Sequence, residues 1–323
     1  MLGRHAKSFE STASRPPLRD RASNRPICAS MLNASAAANA RTLLINMNKD
    51  AFQKFVVKFL ETQHGLDGFQ DIRATRDGGS DGIIIAERRS IACYGPEQYD
   101  KNRFKRKLRD DYASYAANWR DSYPSWRVFI NFKTPPWAIQ AVDTLQSGSD
   151  IWGPDKILTA IGELPWHSQI KLYTALGVDP NLLGRDFLQT VVNDLADGKV
   201  TGNVEEYRKK APDIEKKIRL NFADTDVQEA TAWIEKIYEE QAAAQEILSL
   251  YETKELERIK LTVLRLFTEL PRSLGFADRI FGVVTRILDR YNLNTQDAVA
   301  PFVHGLVFCL FVQCLLGSRP TEE

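Results

Sequence analysis

Cysteine is scarce in this 323-residue chain. The four present, Cys28, Cys93, Cys309 and Cys314, form no Cys-x-x-Cys pair, and the four histidines, His5, His64, His167 and His304, are scattered. That spacing excludes a zinc-ligand motif and a disulfide framework, and it makes a reducing, cytoplasmic setting the default. An excess of one charge sign is also lacking, since the formal net charge is +1. The chain is therefore no polycation, and any nucleic-acid contact must come from a local basic patch. There is no internal repeat of fixed period and no h-region of a secretory signal. One run, Ala298 to Gly317, approaches the length of a membrane span. It contains Pro301, His304, Gly305 and Gln313, which lipid tolerates poorly, and no basic flank precedes it. A core helix is expected there rather than a tail anchor, and no membrane partner.

What is present is a globular composition, 43% hydrophobic and 26% charged, with length enough for two domains. Residues 1–46 stand apart. They carry seven Arg/Lys against two Asp/Glu, net +5, which leaves the remainder at −4. Ser, Ala, Asn and Pro dominate, with no apolar period. A disordered tail, or an over-extended start with Met47 as the first residue, is preferred to a targeting segment.

From Asn48 to Thr62 the spacing of Phe52, Phe55, Val56, Phe59 and Leu60 predicts an amphipathic helix. Asp71 to Thr75 is a candidate strand. The Asp/Gly-rich turn 77–82 leads into the strand Ile83–Ile85, a turn at 87–89 and a return strand, Ser90–Tyr94. A basic helix, 98–119, a strand, Trp126–Phe132, a helix from Pro136 to Gln146, a strand, Asp150–Trp152, and a helix, Pro154–Ile161, follow. This order predicts an α/β layer fold over residues 47–178. Beyond about Asp179 only amphipathic helices are predicted: 185–195, 204–211, 214–221, 227–249, 253–270 and 277–291, then the apolar run. Residues 179–323 are thus an expected helical domain.

A hard cation held by carboxylates on neighbouring strands activates water and offsets charge on a phosphate, and a nearby lysine stabilises the transition state. Asp81 ends the Gly-rich turn and the return strand comes back beside it. Its alternative role is that of a turn residue bonding its own backbone. Glu97, after Pro96, is either a second carboxylate or a first-turn helix charge. The run Lys101-Asn102-Arg103-Phe104-Lys105-Arg106-Lys107-Leu108-Arg109 puts six cations in nine residues around an apolar stripe of Phe104, Leu108 and Tyr112. It either tracks phosphates or is a solvated face offset by Asp100, Asp110 and Asp111.

Gln53 in the first helix, Asp77-Gly78-Gly79-Ser80-Asp81-Gly82, and Ile91-Ala92-Cys93-Tyr94 on the next strand together resemble the PD-(D/E)XK, or restriction-endonuclease-like, superfamily over about Met47 to Gly177. The resemblance implies that fold, with Mg²⁺ at Asp81 and Glu97 and with DNA as the partner. The family's helical Glu is Gln53 here, and its (Glu/Gln)-x-Lys tripeptide aligns with Ala92-Cys93-Tyr94. Lys101 or Lys105 would then supply a migrated lysine, and Arg103, Lys105, Arg106, Lys107 and Arg109 the DNA contacts. The stretches Lys216–Asn221, Ala230–Tyr238, Ile247–Leu266 and Val299–Cys314 are similar to C-terminal domains of ABC-three-component systems. That similarity implies a prokaryotic defence setting in which an SMC-like ATPase and an accessory subunit dock on the helical half. Two functions follow as expectations: a Mg²⁺-dependent nuclease effector, or a catalytically degenerate nuclease fold that serves as a DNA-binding or scaffold module.

Overall fold

The computed structural model describes residues 34–72, 78–198, 218, 220, 221, 227–313 and 316. Helix α1 (Ala34–Asn46) is followed by α2 (Lys49–His64), whose Phe52, Phe55, Val56, Phe59 and Leu60 are all buried, as their helical spacing predicts. Three strands then form an antiparallel meander: β1 (Phe69–Asp71), β2 (Gly82–Ile84) and β3 (Arg89–Tyr94). Helix α3 (Lys101–Asn118) returns the chain so that β4 (Ser125–Ile130) pairs parallel to β3. Helix α4 (Pro136–Leu145) does the same for β5 (Asp150–Trp152) beside β4. Parallel neighbours need such crossovers, and the sheet order is β1-β2-β3-β4-β5.

Strand periodicity of two sorts the central residues between two layers. Ile91 on β3 and Phe129 on β4 join the core built around α2, whereas Ala92, Val128 and Ile130 join Phe104 and Leu108 of α3 and Ala138 and Val142 of α4. With helices on both faces, β4 is a near-continuous buried run from Trp126 to Ile130.

Among the described residues only helices follow β5: α5 (Pro154–Gly162), α6 (Trp166–Leu176), α7 (Pro180–Ala196), α8 (Val227–Leu248), α9 (Thr253–Thr268), α10 (Phe276–Asp289) and α11 (Ala300–Val312). The apolar run at the end of the sequence is α11, buried from Gly305 through Phe311 and packed on α8, α10 and α7. Its contact with α8 requires Gly305, because a Cβ there would lie 2.7 Å from the Glu240 carbonyl carbon. At 13 residues the helix is about 20 Å long, and among the described residues no helix is long and apolar enough to cross a membrane.

The structure departs from the sequence expectations at four places. Residues 34–46, expected within an unstructured tail, form α1, whose Ala36, Ala40 and Leu44 are fully buried against α5, α6 and α7. The stripe is two alanines and one leucine, too small to register as an apolar period. Residues 1–33 lie outside the described residues. The first strand is Phe69–Asp71 rather than 71–75, and 73–77 lie outside the described residues. Helix α6 was not anticipated. It joins α2 and α7 to the same core, which runs unbroken from Ala36 through Ile91 and Phe129 to Phe308 and Leu316. The expected boundary at 178/179 therefore does not separate two cores. Of the helices expected at 204–211 and 214–221, only Ile218, Leu220 and Asn221 are among the described residues.

Because α1 is packed, a chain shortened to begin at Met47 will be less stable than the full chain. Loss of the Leu44, Ala36 and Ala40 contacts should cost about 3 kcal/mol, or roughly 4–5 °C in the unfolding midpoint. Differential scanning fluorimetry of the two chains measures this, and equal midpoints would show that α1 adds nothing.

Candidate nucleic-acid interface

Asp81 sits where the turn after residue 77 enters β2. The turn is shaped by its approach to α3. Gly79 has φ +84°, and a Cβ on it would lie 2.6 Å from the Ser114 Cβ. Buried Ser80 donates to the Gly82 carbonyl at 2.9 Å and accepts from Ser90 at 2.9 Å. The Asp81 amide donates to Ile91 O at 2.8 Å, and its half-buried carboxylate faces α2. Oδ1 accepts from Gln53 Nε2 at 2.9 Å, and Oδ2 accepts from the Cys93 amide at 2.6 Å. The side chain thereby joins α2 to β3.

Ile91 and Cys93 are the β3 residues on the Asp81 side, while Ala92 and Tyr94 pack on the α3 layer. Positions 92 and 94, where the resemblance aligned an acid and a lysine, thus pack on the α3 layer rather than on the Asp81 side. Burial, reinforced by the Asp81 and Asp71 charges, pushes the Cys93 thiol far above its ordinary range. That environment favours the neutral thiol over the thiolate.

Mg²⁺ requires several oxygen ligands in near-octahedral geometry. Among the described residues, no three His, Cys, Asp or Glu side chains converge on a metal position. Two of the groups around Asp81, the Gln53 amide and the Cys93 backbone N–H, donate to it, and the charges of Asp81 and Asp71 both act on the Cys93 thiol. Glu97 stands exposed on the bend before α3. A groove of about 850 Å³ runs along α2 beside Gln53. Its charges balance, with Asp50, Glu61 and Asp71 against Lys54, Lys58 and Lys171, so it selects no ligand of one sign.

The basic run occupies the first half of α3, capped by Asp100, whose carboxylate accepts from the Arg103 amide at 2.6 Å. Phe104 and Leu108 are buried, while Lys101, Arg103, Lys105, Arg106, Lys107 and Arg109 are exposed. Two of the six turn back onto the helix: Lys107 pairs with Asp111, and Arg109 Nε donates to Lys105 O at 3.3 Å. Lys101, Arg103, Lys105 and Arg106 are the cations presented outward. All of α3 lies on the sheet layer opposite α2 and Gln53.

Beside these cations is an aromatic cluster that sequence reading missed. Tyr94 stacks on Phe104 (5.1 Å between ring centroids), and Phe104 meets Phe132 edge-on at 5.2 Å and Trp137 at 5.6 Å. Tyr99 leans on Phe132 at 4.6 Å and remains 44% exposed, and Lys105 Nζ lies 5.2 Å over the Trp137 ring. Burial raises the Tyr94 hydroxyl above its usual range against the pull of the Arg103 charge. The available signal was an aromatic at each segment entering or leaving the sheet: 94, 99, 132 and 137.

A second missed cluster lies toward the other end of β3. Arg127, 6% exposed, donates to Asp150 Oδ1 at 2.8 Å, and Arg89 donates to the same oxygen at 2.9 Å. Glu87 pairs with Arg89 at 2.9 Å and Arg127 at 3.4 Å, with His64 3.9 Å away. Trp152 donates to Asp150 Oδ2 at 2.8 Å and lies flat under the Arg127 guanidinium, 4.1 Å from its carbon. Parallel register places Arg127 directly beside Asp150. A lone arginine inside the strand Trp-Arg-Val-Phe-Ile was the sequence signal that a buried anion must face it.

No family model, no curated protein and no solved structure matches this chain.

Burial alone would raise the Asp150 carboxyl, but the hydrogen bonds from Arg127 and Trp152 and the charges of Arg127 and Arg89 prevail and hold it below its ordinary value. A carboxyl depressed in the folded state contributes stability above its unfolded pKa and loses it as pH falls through the folded one. Asp150→Asn should therefore cost about 3 kcal/mol at pH 7, where it leaves the buried Arg127 with only the longer 3.4 Å pairing to Glu87. The difference from the parent should shrink below about pH 4. Urea unfolding at several pH values tests this, and a pH-independent difference would remove the ion pair as its cause.

Proposed function

We propose that this chain binds nucleic acid through the outward face of α3, on a restriction-endonuclease-like scaffold that does not cut. The observation that carries the proposal is the engagement of both Asp81 oxygens by Gln53 and the Cys93 amide. A carboxylate held by two donors at the α2–β3 junction acts as a structural clamp, and the positions that face it on β3, Ile91 and Cys93, are neither acid nor lysine; the acid nearby is Asp71 of β1. The scaffold reading is supported by the order of α2, the antiparallel meander β1-β2-β3, α3 and parallel β4, the order on which the resemblance to that superfamily rests. Binding is supported by the four outward cations of α3, since phosphate contact needs clustered positive charge rather than a basic molecule.

The prokaryotic defence setting, with an SMC-like ATPase and accessory subunit on the helical half, follows from the resemblance of residues 212–317.

The test is a titration of fluorescent DNA with the full chain across salt concentrations, with and without Mg²⁺, followed by a denaturing gel. Binding without cleavage is expected. Replacing Lys101 and Arg106 by alanine should lower the slope of log K against log salt by about 2. Asp81→Ala should leave binding intact and destabilise the fold by about 1–3 kcal/mol through the orphaned Cys93 amide and Gln53. Mg²⁺-dependent cleavage that disappears in Asp81→Ala would replace this reading with that of a nuclease effector.

A further inference from the structure

We propose that the α3 face takes single-stranded nucleic acid, with a base stacked on Tyr99. The inference rests on the nucleic-acid reading above and narrows its substrate class.

Tyr99 is 44% exposed while its inner side leans on Phe132, 4.6 Å away. Phe132 in turn packs against Phe104 and Tyr94, so Tyr99 is backed by a firm aromatic wall rather than hanging in solvent. Trp137, half-buried, closes the cluster through Phe104, and Lys105 Nζ sits over its indole. At 44% exposure, part of the Tyr99 ring is open to a planar partner.

The charges around the ring discriminate between occupants. Lys101, Arg103, Lys105 and Arg106 emerge exposed from the helix turns next to Tyr99, and Lys133 follows Phe132 into solvent. The acids nearby are Glu97, Asp100, Asp110 and Asp111. Asp111 is paired with Lys107, and the five exposed cations Lys101, Arg103, Lys105, Arg106 and Lys133 outnumber Glu97, Asp100 and Asp110. The outward face is therefore cationic around an aromatic platform, the combination used by proteins that track a single strand: cations follow the phosphates, and flat rings take the bases regardless of sequence. Duplex DNA hides its base faces within the stack and offers Tyr99 nothing to stack on. An acidic peptide would satisfy the cations and leave the ring unused.

The experiment compares the full chain binding fluorescein-labelled (dT)20, a 20-base-pair duplex and a labelled 20-residue polyglutamate by anisotropy at matched ionic strength. The single strand should bind most tightly. Tyr99→Ala should weaken (dT)20 binding by about tenfold or more, and Tyr99→Phe, which keeps the ring, should bind within about twofold of the parent. Thermal midpoints of both variants verify that the fold is kept. If Tyr99→Ala binds (dT)20 as tightly as the parent, or if duplex or polyglutamate binds as tightly as (dT)20, the stacking proposal is overturned while charge-driven binding stands. If neither nucleic acid binds, the nucleic-acid reading falls and this inference with it.

Discussion

The pairing of β3 with β4, buried on both faces, is the constraint on which the rest of the structure depends. Two parallel strands cannot be joined by a tight turn, so α3 must cross over one face. The other face must then be covered by something else, and α2 does this with five large apolar side chains. Once both layers are in place, the alternation of residues along β3 decides every local outcome. Ile91 and Cys93 belong to the α2 layer and Ala92 and Tyr94 to the α3 layer. Asp81 is drawn toward α2 and the basic helix lies on the opposite side. The separation of the acid from the cations is a consequence of strand phase.

Covering the sheet from both sides also forces polar groups into low-dielectric surroundings, where each must find a partner. Arg127 finds Asp150, Glu87 and the face of Trp152. Asn131, 2% exposed, donates through Nδ2 to the carbonyls of Met47 and Pro96, and Lys49 N donates to Gly95 O at 2.6 Å. These last bonds fasten the α1–α2 junction over the ends of β3 and β4. They also explain why α1 belongs to the same body as the sheet. The loop before α3, which carries Glu97 and Tyr99, is thus held from beneath at Gly95 and Pro96 while its outer side faces solvent.

Much of this was legible in the residues. The apolar spacing of Phe52 to Leu60 marks α2, the β-branched and aromatic density of 126–132 marks β4, and Pro136 and Pro154 mark helix starts. The buried character of the last helix was legible too, because Pro301, His304 and Gly305 suit protein packing better than lipid. Helix α1 was not legible. Its buried stripe is mainly alanine, which carries little apolar signal, and the surrounding Ser, Asn and Arg resemble a tail. Helix α6, with core residues Ile170, Leu172, Tyr173 and Leu176, was legible only at its start, where Gly162 and Pro165 break the chain.

The sequence by itself determined the order of elements, the basic run on α3 and the absence of a Glu-x-Lys pair on the strand after Asp81, because these depend only on local composition and period. Tertiary structure alone decided which groups share a face. The chain does not announce that Gln53 reaches Asp81 across 28 positions, that Arg127 meets Asp150 across 23, or that Tyr99 rests on Phe132. Each contact depends on strand register and on which layer a helix occupies, and both are fixed by burying the whole sheet rather than by any residue's neighbours in sequence.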